Sequence, residues 1–371
     1  MALFLSVLPA PVHHPHPLPR MASSASFRSA MRVAVVQFAP KVRASVRQSA
    51  AHMSEDAPRL GEYRRISRLL RRYVRSAYLD PPDSRSLGEW CLRLAPRSVD
   101  LVCLPEMIFT GYVFPDAKSI TPHLEEPGTG PTSRFCAELA KRLRCHVAAG
   151  YPERLAPEEA KAIPTQEHEG NEVQAVGANS AVLYGPDGQL VGTYRKTSLF
   201  TTDMTWAVPG TGFVTFDLPP PLGTVTLAIC MDLNPFPPFQ WNLDEGPYEL
   251  ATHCIDTRSN LLILLNAWLD SGSEEDEDMD WQTMNYWAAR LRPLWVKPLL
   301  NGHGDHTRDS HAQPGEDTVV IVCNRCGEEN DKTFAGSSSL FSMRRHSGKP
   351  KLLAAMGRQE EGVAVWTVPG R

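Results

Sequence analysis

Three side chains that together could hydrolyse an amide each stand at the end of an apolar run. Glu106 ends DLVCLPE, Lys196 ends LVGTYRK and Cys230 ends VTLAIC. Runs of this length and composition predict buried β-strands. Because the carboxyl ends of neighbouring strands meet at one edge of an α/β sheet, we expect the three side chains to lie close together.

Each of the three would have a distinct role. Cys230 would supply the nucleophile, which is weak until the thiol loses its proton. Glu106 would take that proton and return it to the leaving amine, which requires burial to raise its pKa. Lys196 and the backbone N–H after Cys230 would hold the oxyanion. Taken singly, they are more often a packed thiol, a turn-capping carboxylate and a surface charge, so the prediction depends on all three meeting.

The rest of the sequence supplies the elements that such a site needs. Apolar runs predict strands at 32–38, 99–107, 146–154, 225–230, 259–268, 318–325 and 336–343, with a hairpin at 179–196. Helices are predicted at 59–79, 132–144 and 281–295, and a polar loop at 155–175. Strands that alternate with helices and loops in this way predict an α/β fold.

Composition limits the class of protein. The 371 residues are 42% hydrophobic, which supports a sizeable core, and the net charge of −4 argues against nucleic acid as the main partner. No apolar stretch approaches the roughly 18 residues of a membrane span. The eight cysteines stand mostly inside apolar runs rather than at the spacings of a disulfide framework, which predicts a reducing compartment.

Several blocks, in this order along the chain, resemble the nitrilase superfamily of carbon–nitrogen hydrolases. They are RVAVVQFAP (32–40), DLVCLPEMIFTGY (100–112), GYPER (150–154), NSAVLYGPDGQLVGTYRKTSLF (179–200), AICMD (228–232), NRCG (324–327) and FAGSSSLF (334–341). The resemblance implies a four-layer α-β-β-α sandwich that uses no cofactor and no metal. It also implies a catalytic triad of Glu106, Lys196 and Cys230, the residues already reached from the strand ends.

Three further stretches resemble one group within the superfamily, the fungal protein N-terminal amidases. These are LPEMIFTGYVFP (104–115), KTSLFTTDMTWAVPG (196–210) and CMDLNPF (230–236). The likeness implies deamidation of N-terminal asparagine and glutamine of proteins to aspartate and glutamate with release of ammonia, as the first step of an N-degron pathway. The implied partners are such proteins or peptides and, downstream, an arginyltransferase and a ubiquitin ligase, without nucleic acid or membrane.

A pocket for such a substrate must hold a primary carboxamide and a protonated α-amine. Carboxylates suit the amine, and the candidates by motif are Asp232 and Glu153. Neutral donors and acceptors suit the carboxamide, and the candidates are Asn234 and Asn266. Two of these have structural alternatives, because Asp232 could support the turn after the nucleophile and Asn266 could cap a strand end.

The resemblance assigns residues 31–371 to one hydrolase domain, with an acidic loop at 270–280, after an extension at 1–30. The extension has no acidic residue and is rich in proline and serine, so it is disordered, lies before a start at Met21 or Met31, or is a mitochondrial presequence. We therefore expect a cytoplasmic protein, or a mitochondrial one if the extension acts as a presequence.

Two features depart from the superfamily pattern. Gln37 and Pro105 are separated by 67 residues, so we expect an insertion at about 41–95 or an artefact of the gene model. The basic helix predicted there is more typical of a solvated surface than of a membrane or nucleic-acid contact. Many members also carry a second glutamate after the catalytic lysine, whereas residues 201–210 contain only Asp203 as an acid.

Two other clusters have alternative interpretations. Cys323 and Cys326 form a CxxC that follows His303 and His306, which is conceivable as a zinc site. The family pattern instead puts these cysteines on a core strand and its turn, which favours a structural role. The acidic run 274–278 could attract a positively charged N-terminus, although a solvated loop is the ordinary role of such a run.

Two alternatives to an N-terminal amidase follow from the same sequence. One is a small-molecule amidase or carbamoylase of the same superfamily, which would act on free amides rather than on peptides. The other is a non-catalytic nitrilase-like module that binds partners. The intact set of Glu106, Lys196 and Cys230 argues against the second alternative.

Overall fold

Two six-stranded sheets form the centre of the molecule. The computed structural model describes residues 30–39, 96–273, 278–296 and 317–370. The strands of the first sheet are β1 (Met31–Gln37), β2 (Leu101–Leu104), β3 (His146–Arg154), β6 (Gly177–Tyr184), β7 (Leu190–Arg195) and β16 (Gly362–Val368). Their order across the sheet is β16-β1-β2-β3-β6-β7, with β1, β2 and β3 parallel to one another.

The second sheet repeats this plan. Its strands are β8 (Val214–Leu218), β9 (Gly223–Ile229), β10 (Leu261–Asn266), β11 (Asp317–Asn324), β14 (Ser339–Arg344) and β15 (Lys351–Ala355). They are ordered β15-β14-β11-β10-β9-β8, and β9, β10 and β11 are parallel. Two short hairpins pair β4 (Gln166–His168) with β5 (Asn171–Val173) and β12 (Glu328–Glu329) with β13 (Lys332–Thr333).

Five α-helices lie among the described residues. They are α1 (Ala117–Ile120), α2 (Pro131–Leu143), α3 (Pro157–Ala162), α4 (Glu249–Asp256) and α5 (Trp281–Arg290). Leu139 of α2 packs in a cluster with Val36 and Val147 of the first sheet. Trp287 of α5 packs in a cluster with Leu262 and Leu264 of the second sheet. Helices of the described residues therefore lie outside each sheet.

The inner faces of the two sheets pack against each other. Val33 and Val35 of β1 belong to the same buried cluster as Ile263 and Leu265 of β10. Their neighbours in sequence point to the opposite, helix-covered faces, because successive side chains of a strand alternate. Burial on both faces explains the continuous apolar runs of the sequence. The predicted four-layer α-β-β-α sandwich is confirmed.

Several sequence predictions differ in detail from the structure. The helix predicted at 281–295 ends at Arg290 and is followed by a short 3-10 turn at Arg292–Leu294, because Pro293 cannot continue an α-helix. The stretch 155–175, predicted as loop, contains α3 and the β4–β5 hairpin. No helix among the described residues is long and apolar enough to cross a membrane.

The zinc interpretation finds no support in the described part of the chain. Cys323 lies on β11, where its thiol donates to the carbonyl oxygens of Val36 and Cys103 at 3.4 Å, and Cys326 is buried in the following turn. Among the described residues no group of three or more His, Cys, Asp or Glu side chains could hold a metal ion. Several predicted features lie outside the described residues. They are the helix at 59–79, His303, His306 and the acidic residues 274–277.

Candidate active site

The three strand-end side chains meet at one edge of the sandwich. Glu106 follows β2, Lys196 follows β7 and Cys230 follows β9. The side chains of Glu106 and Lys196 are 0% exposed, and Cys230 is 7% exposed. Lys196 Nζ donates to Glu106 Oε1 at 2.8 Å. The Ala267 N–H donates to Glu106 Oε2 at 2.6 Å. It also lowers the pKa of the Cys230 thiol, on which the charges of Glu106 and Lys196 act as well, so carboxyl, ammonium and thiol share one site.

A strained turn presents the Cys230 thiol. The strand β9 ends at Ile229, and Cys230 begins a 3-10 turn with a backbone φ of 42°. A non-glycine residue in this left-handed region costs roughly 1–3 kcal/mol and is held there by its surroundings. The Cys230 N–H donates to Asn266 Oδ1 at 3.1 Å, which fixes the turn to the end of β10. The sequence predicted the strand end but not this backbone geometry.

The backbone at Glu106 is fixed by the close approach of β3. A Cβ atom built on Gly150 would lie 2.6 Å from Glu106 Cα and 2.9 Å from the Met107 nitrogen, closer than real Cβ atoms come. Met107 also adopts a positive φ of 50°, so the chain turns sharply directly after Glu106. Glycine at position 150 therefore lets β3 support the turn that carries the carboxyl group.

A second buried carboxylate shares the ammonium of Lys196. Asp203 Oδ2 accepts from Lys196 Nζ at 2.6 Å. Asn179 Nδ2 donates both to Glu106 Oε1 at 2.7 Å and to Asp203 Oδ1 at 2.9 Å, and so bridges the two acids. Tyr112 adds a longer bond from its hydroxyl to Asp203 at 3.4 Å. Many members of the superfamily carry a second glutamate after the catalytic lysine. Asp203, the only acid in residues 201–210, makes the contact with Lys196 that a second acid would make.

Asn179 and Tyr112 were not among the residues expected from the sequence. Asn179 is a fully buried polar residue on β6, where its neighbours in sequence are apolar or small. A polar side chain within a buried strand is a signal that could have indicated the site, because buried polar groups need partners. Tyr112 gave no comparable signal, because its contact with Asp203 depends on the path of the loop after Glu106.

Burial controls the ionisation of the three groups. Desolvation raises the pKa of Glu106, opposed by the charge of Lys196, while the negative charge of Asp203 raises it further. Desolvation also raises the pKa of the Cys230 thiol well above its usual value, so the resting thiol is neutral. For Lys196, desolvation acts to lower the pKa, but the charges of Asp203 and Glu106 hold it well above the usual value. The ammonium is therefore a permanent positive charge.

The thiol opens into a small cavity of about 170 Å³. Its walls are mainly apolar and aromatic, and the lining residues are Tyr112, Phe200, Cys230, Met231, Asn234, Ala267, Trp268 and Leu269. Asn234, a predicted substrate-binding residue, lines it directly. Asn266 lies behind Cys230 with its Oδ1 bonded to the Cys230 N–H, and its Nδ2 has no partner among the described residues. The cavity can take a single side chain with a carboxamide.

The two predicted amine-binding carboxylates have other contacts. Both oxygens of Asp232 are occupied by the Tyr194 hydroxyl at 2.7 Å and by backbone N–H groups at 2.8–2.9 Å from Ile229, Thr197 and Ser198. Burial raises the pKa of Asp232 to about 6. These contacts join the turn after Cys230 to the segment after Lys196. The structural alternative considered for Asp232 therefore matches its contacts, whereas an amine-binding role does not.

Glu153 lies on β3 and is engaged elsewhere. It accepts from Arg195 Nη2 and from the Ser180 hydroxyl, each at 2.6 Å. Neither Glu153 nor Asp232 is among the residues that line the cavity. The expectation that these two acids receive a substrate amine thus differs from the geometry, because each carboxylate is already paired with internal donors.

Comparison with known proteins identifies the family of this chain. Residues 32–240, more than half of the chain, match the family model for carbon-nitrogen hydrolases. The chain belongs to the carbon–nitrogen hydrolase family. Membership makes it a hydrolase of carbon–nitrogen bonds in amides, and the resemblance stated from the sequence is confirmed.

Individual relatives of this carbon–nitrogen hydrolase include fungal enzymes. A protein N-terminal amidase of Schizosaccharomyces pombe is 31% identical over 284 residues, which cover 73% of this chain and 87% of that protein. A protein N-terminal amidase of Saccharomyces cerevisiae is 28% identical over 195 residues, covering 48% and 38% of the two chains. A nitrilase of Pyrococcus abyssi is 30% identical over 289 residues, covering 77% and 84%.

Solved structures share the fold of this carbon–nitrogen hydrolase. A crystal structure of an N-terminal amidase with an Asn-Glu-Ala peptide superposes with a TM-score of 0.68 at 19% identity, covering 92% of this chain and 98% of that one. Nit3 of Saccharomyces cerevisiae, a member of the nitrilase superfamily, superposes with a TM-score of 0.58 at 16% identity, covering 94% and 93%. At these identities the likeness establishes the fold.

Proposed function

We propose that this carbon–nitrogen hydrolase removes the side-chain amide nitrogen of an N-terminal asparagine or glutamine of proteins and peptides. The observation that carries the proposal is the grouping of three side chains beside a cavity. Lys196 Nζ lies 2.8 Å from Glu106 Oε1, both charges act on the Cys230 thiol, and Cys230 lines a cavity of about 170 Å³. Two fungal relatives are named protein N-terminal amidases, and related structures contain Asn-Glu-Ala and Gln-Gly peptides, which supports this substrate class.

In the first half-reaction the amide carbon is attacked by Cys230. The Sγ–C bond forms as the thiol proton passes to Glu106, which is a stronger base than an exposed glutamate because burial raises its pKa. The negative charge on the carbonyl oxygen is held by Lys196 Nζ and by the backbone N–H of Met231. When the intermediate collapses, the C–N bond breaks, Glu106 returns the proton to nitrogen, and ammonia leaves an acyl thioester on Cys230.

In the second half-reaction water hydrolyses the thioester. Glu106 takes a proton from the water, whose oxygen bonds to the acyl carbon, and the S–C bond then breaks. The departing thiolate takes the proton from Glu106, so the enzyme returns to its starting state. The products are a peptide with N-terminal aspartate or glutamate and ammonia, one water being consumed.

The size of the cavity supports action at a chain end. Its lining includes the Cys230 thiol, the Asn234 carboxamide and mainly apolar or aromatic groups such as Trp268 and Leu269. The methylene groups of asparagine or glutamine can pack on these walls while the carboxamide reaches Cys230. An internal residue would bring two flanking chain segments to a cavity whose volume of about 170 Å³ has room for little more than one side chain.

We further propose that residues 31–371 form one hydrolase domain after an extension at 1–30. The pairing of β1 (Met31–Gln37) with β16 (Gly362–Val368) supports this assignment, because it joins the two ends of the described chain in one sheet. A cytoplasmic location fits the seven described cysteines, all of which are free thiols. The aspartate or glutamate product would enter an N-degron pathway.

The proposal is tested by ammonia release from Asn-Glu-Ala and Gln-Gly, beside N-acetylated Asn-Glu-Ala and free glutamine. We expect the wild type to act on the two unblocked peptides, and Cys230→Ala to lower the rate by about a thousandfold or more. Release of ammonia from free glutamine alone would instead identify a small-molecule amidase of the same superfamily. Equal activity of wild type and Cys230→Ala would contradict the role of the thiol.

A further inference from the structure

Helix α5 holds the segment that follows the nucleophile. Tyr286 and Arg290 are four residues apart on α5 and therefore lie on the same face. Arg290 Nε donates to the carbonyl oxygen of Leu233 at 2.7 Å, and the Tyr286 hydroxyl donates to Asn234 Oδ1 at 2.7 Å. The helix thus fixes both the backbone of the turn and the side chain at its end.

The bond from Tyr286 sets the orientation of the Asn234 carboxamide. Oδ1 faces the hydroxyl, and Nδ2 faces Met231 Sδ at 2.8 Å. The reverse orientation would place oxygen against sulfur, and a thioether has no proton to donate. Thioether sulfur is a weak acceptor, and no other acceptor of Nδ2 is present among the described residues. Asn234 therefore keeps one N–H group as a donor to the cavity that it lines.

Tyr286 is itself held between aromatic side chains. Its ring centroid is 5.7 Å from that of Trp241 and 5.7 Å from that of Trp268, which also lines the cavity. Burial raises the pKa of the Tyr286 hydroxyl, so it stays protonated and acts as a donor at neutral pH. Packing and protonation together keep the hydroxyl pointed at Asn234.

From this geometry we propose that Tyr286 is a positioning residue that fixes Asn234 as the donor to the main-chain carbonyl oxygen of the substrate's first residue. The inference rests on the proposed N-terminal amidase function and names how the peptide end is recognised. An N-terminal asparagine in a peptide has two carbonyl oxygens. The side-chain oxygen is held by Lys196 and the Met231 N–H during reaction, so the main-chain oxygen is the acceptor that matches Asn234.

A pair of substrates separates this contact from the chemical step. The peptide Asn-Glu-Ala has both carbonyl groups, whereas 3-aminopropanamide keeps the amine and the reacting carboxamide but has no main-chain carbonyl. We expect Tyr286→Phe, which removes only the hydroxyl, to lower kcat/KM for the peptide about fivefold to tenfold, as loss of one hydrogen bond does. The change should lie in KM, and kcat/KM for 3-aminopropanamide should change by less than about twofold.

The pathway through Asn234 is tested with a double variant. Asn234→Ala should also affect the peptide more than 3-aminopropanamide. Adding Tyr286→Phe to Asn234→Ala should then cause no further loss, because a positioning residue has no effect once the group it positions is gone. The ratio of the two substrates is measured on one sample, so partial unfolding of a variant does not alter it.

Tyr248→Phe is the matched control. Tyr248 belongs to the same aromatic group, 6.2 Å from Trp241 between ring centroids, but its hydroxyl donates to the Leu243 carbonyl oxygen. In Tyr248→Phe the ratio of kcat/KM for Asn-Glu-Ala to kcat/KM for 3-aminopropanamide should equal that of the wild type. Equal losses on both substrates in Tyr286→Phe, or full additivity in the double variant, would overturn this inference alone. A wild type inactive on both substrates would overturn the proposed function, and this inference with it.

Discussion

Cys230 is a buried thiol beside two carboxyl groups, and this environment sets how it can react. Burial and then the charge of Glu106 raise its pKa, while Lys196 and the Ala267 N–H act in the opposite direction. In the proposed mechanism the proton therefore moves to Glu106 as the substrate is attacked rather than beforehand. Asp203 assists because its charge raises the pKa of the base and because it holds Lys196 in place at 2.6 Å.

Replacement of Asp203 should move the pH profile in a defined direction. The charge of Asp203 raises the pKa of Glu106, so Asp203→Asn lowers that pKa. Glu106 acts as a base only when ionised, and activity is lost as the pH falls through its pKa. The acidic limb of kcat/KM should therefore shift to lower pH, with kcat reduced by about tenfold or more because Lys196 loses a partner.

Glu153→Gln is the control for this prediction. Glu153 is also a buried carboxylate, but it is bonded to Arg195 and Ser180 rather than to Lys196. In the Glu153→Gln variant the acidic limb of the pH profile of kcat/KM should match that of the wild type. The KM of this variant for Asn-Glu-Ala should not rise. A shift of the acidic limb to higher pH in Asp203→Asn would contradict the assigned electrostatics.

At the residue scale the sequence predicted the groups that end apolar runs and missed those that support them. Glu106, Lys196 and Cys230 were identifiable because a reactive side chain lies within two residues of the end of each strand. Asn179 and Tyr286 were not, because their partners are distant in sequence: Asn179 contacts Glu106 73 positions away, and Tyr286 contacts Asn234 52 positions away. Such contacts depend on packing, which a local pattern does not contain.

At the scale of elements, the turns at the strand ends position the side chains of the candidate active site. Asp232 joins the turn after β9 to the segment after β7, and α5 anchors the same turn through Arg290. Element positions were largely predictable from apolar runs, because strands buried on both faces have unbroken runs. The α3 helix and the β4–β5 hairpin were missed, since α3 has six residues and each strand three, too short for a periodic pattern. The strands β8, β15 and β16 and the helix α4 were also not predicted, and the three strands lie at sheet edges, where they are only partly buried.

The close approach of β3 to Glu106 gives a prediction at the scale of elements. Gly150→Ala would place a methyl group 2.6 Å from Glu106 Cα, so the turn carrying the carboxyl group must shift. We expect kcat to fall by about a hundredfold, because a displacement near 1 Å at a reacting group has an effect of that order. The rate of ammonia release and the melting temperature would both be measured.

Gly362→Ala on β16 controls for the general effect of the substitution. A Cβ atom there meets no atom within 4 Å, so the variant should retain wild-type kcat. If Gly150→Ala keeps full activity, the support of Glu106 by β3 has been wrongly assigned.

At the scale of the whole molecule, the fold requires contacts that join the two sheets and the two ends of the described chain. Gln37, at the end of β1, donates from Nε2 to the carbonyl oxygens of Gly357 and Glu360 at 2.6 and 2.7 Å. Its Oε1 accepts from the Ser338 N–H at 2.9 Å, just before β14 of the second sheet. A buried side chain with three such bonds connects β1, β14 and the segment before β16. The resemblance predicted the sandwich, whereas this connection became visible only in the structure.

Truncations test the extent of the domain. A chain that begins at Met21 keeps β1 and β16, and we expect its melting temperature and kcat/KM to match those of the full chain. A chain that ends at residue 361 loses β16 and leaves the whole of β1 without its antiparallel partner. We expect that second chain to be insoluble or to lack a cooperative melting transition. A cooperative transition and full activity in the shorter chain would contradict the role given to β16.

The central claim is that Cys230 forms a covalent acyl intermediate within the site shared with Glu106 and Lys196. Rapid acid quench of the enzyme with Gln-Gly, followed by mass spectrometry of the peptide containing Cys230, tests it most directly. The account predicts an adduct on Cys230 with the mass of the substrate less ammonia, absent from Cys230→Ala. Turnover of Gln-Gly with no adduct at any quench time, together with undiminished ammonia release by Cys230→Ala, would contradict the account.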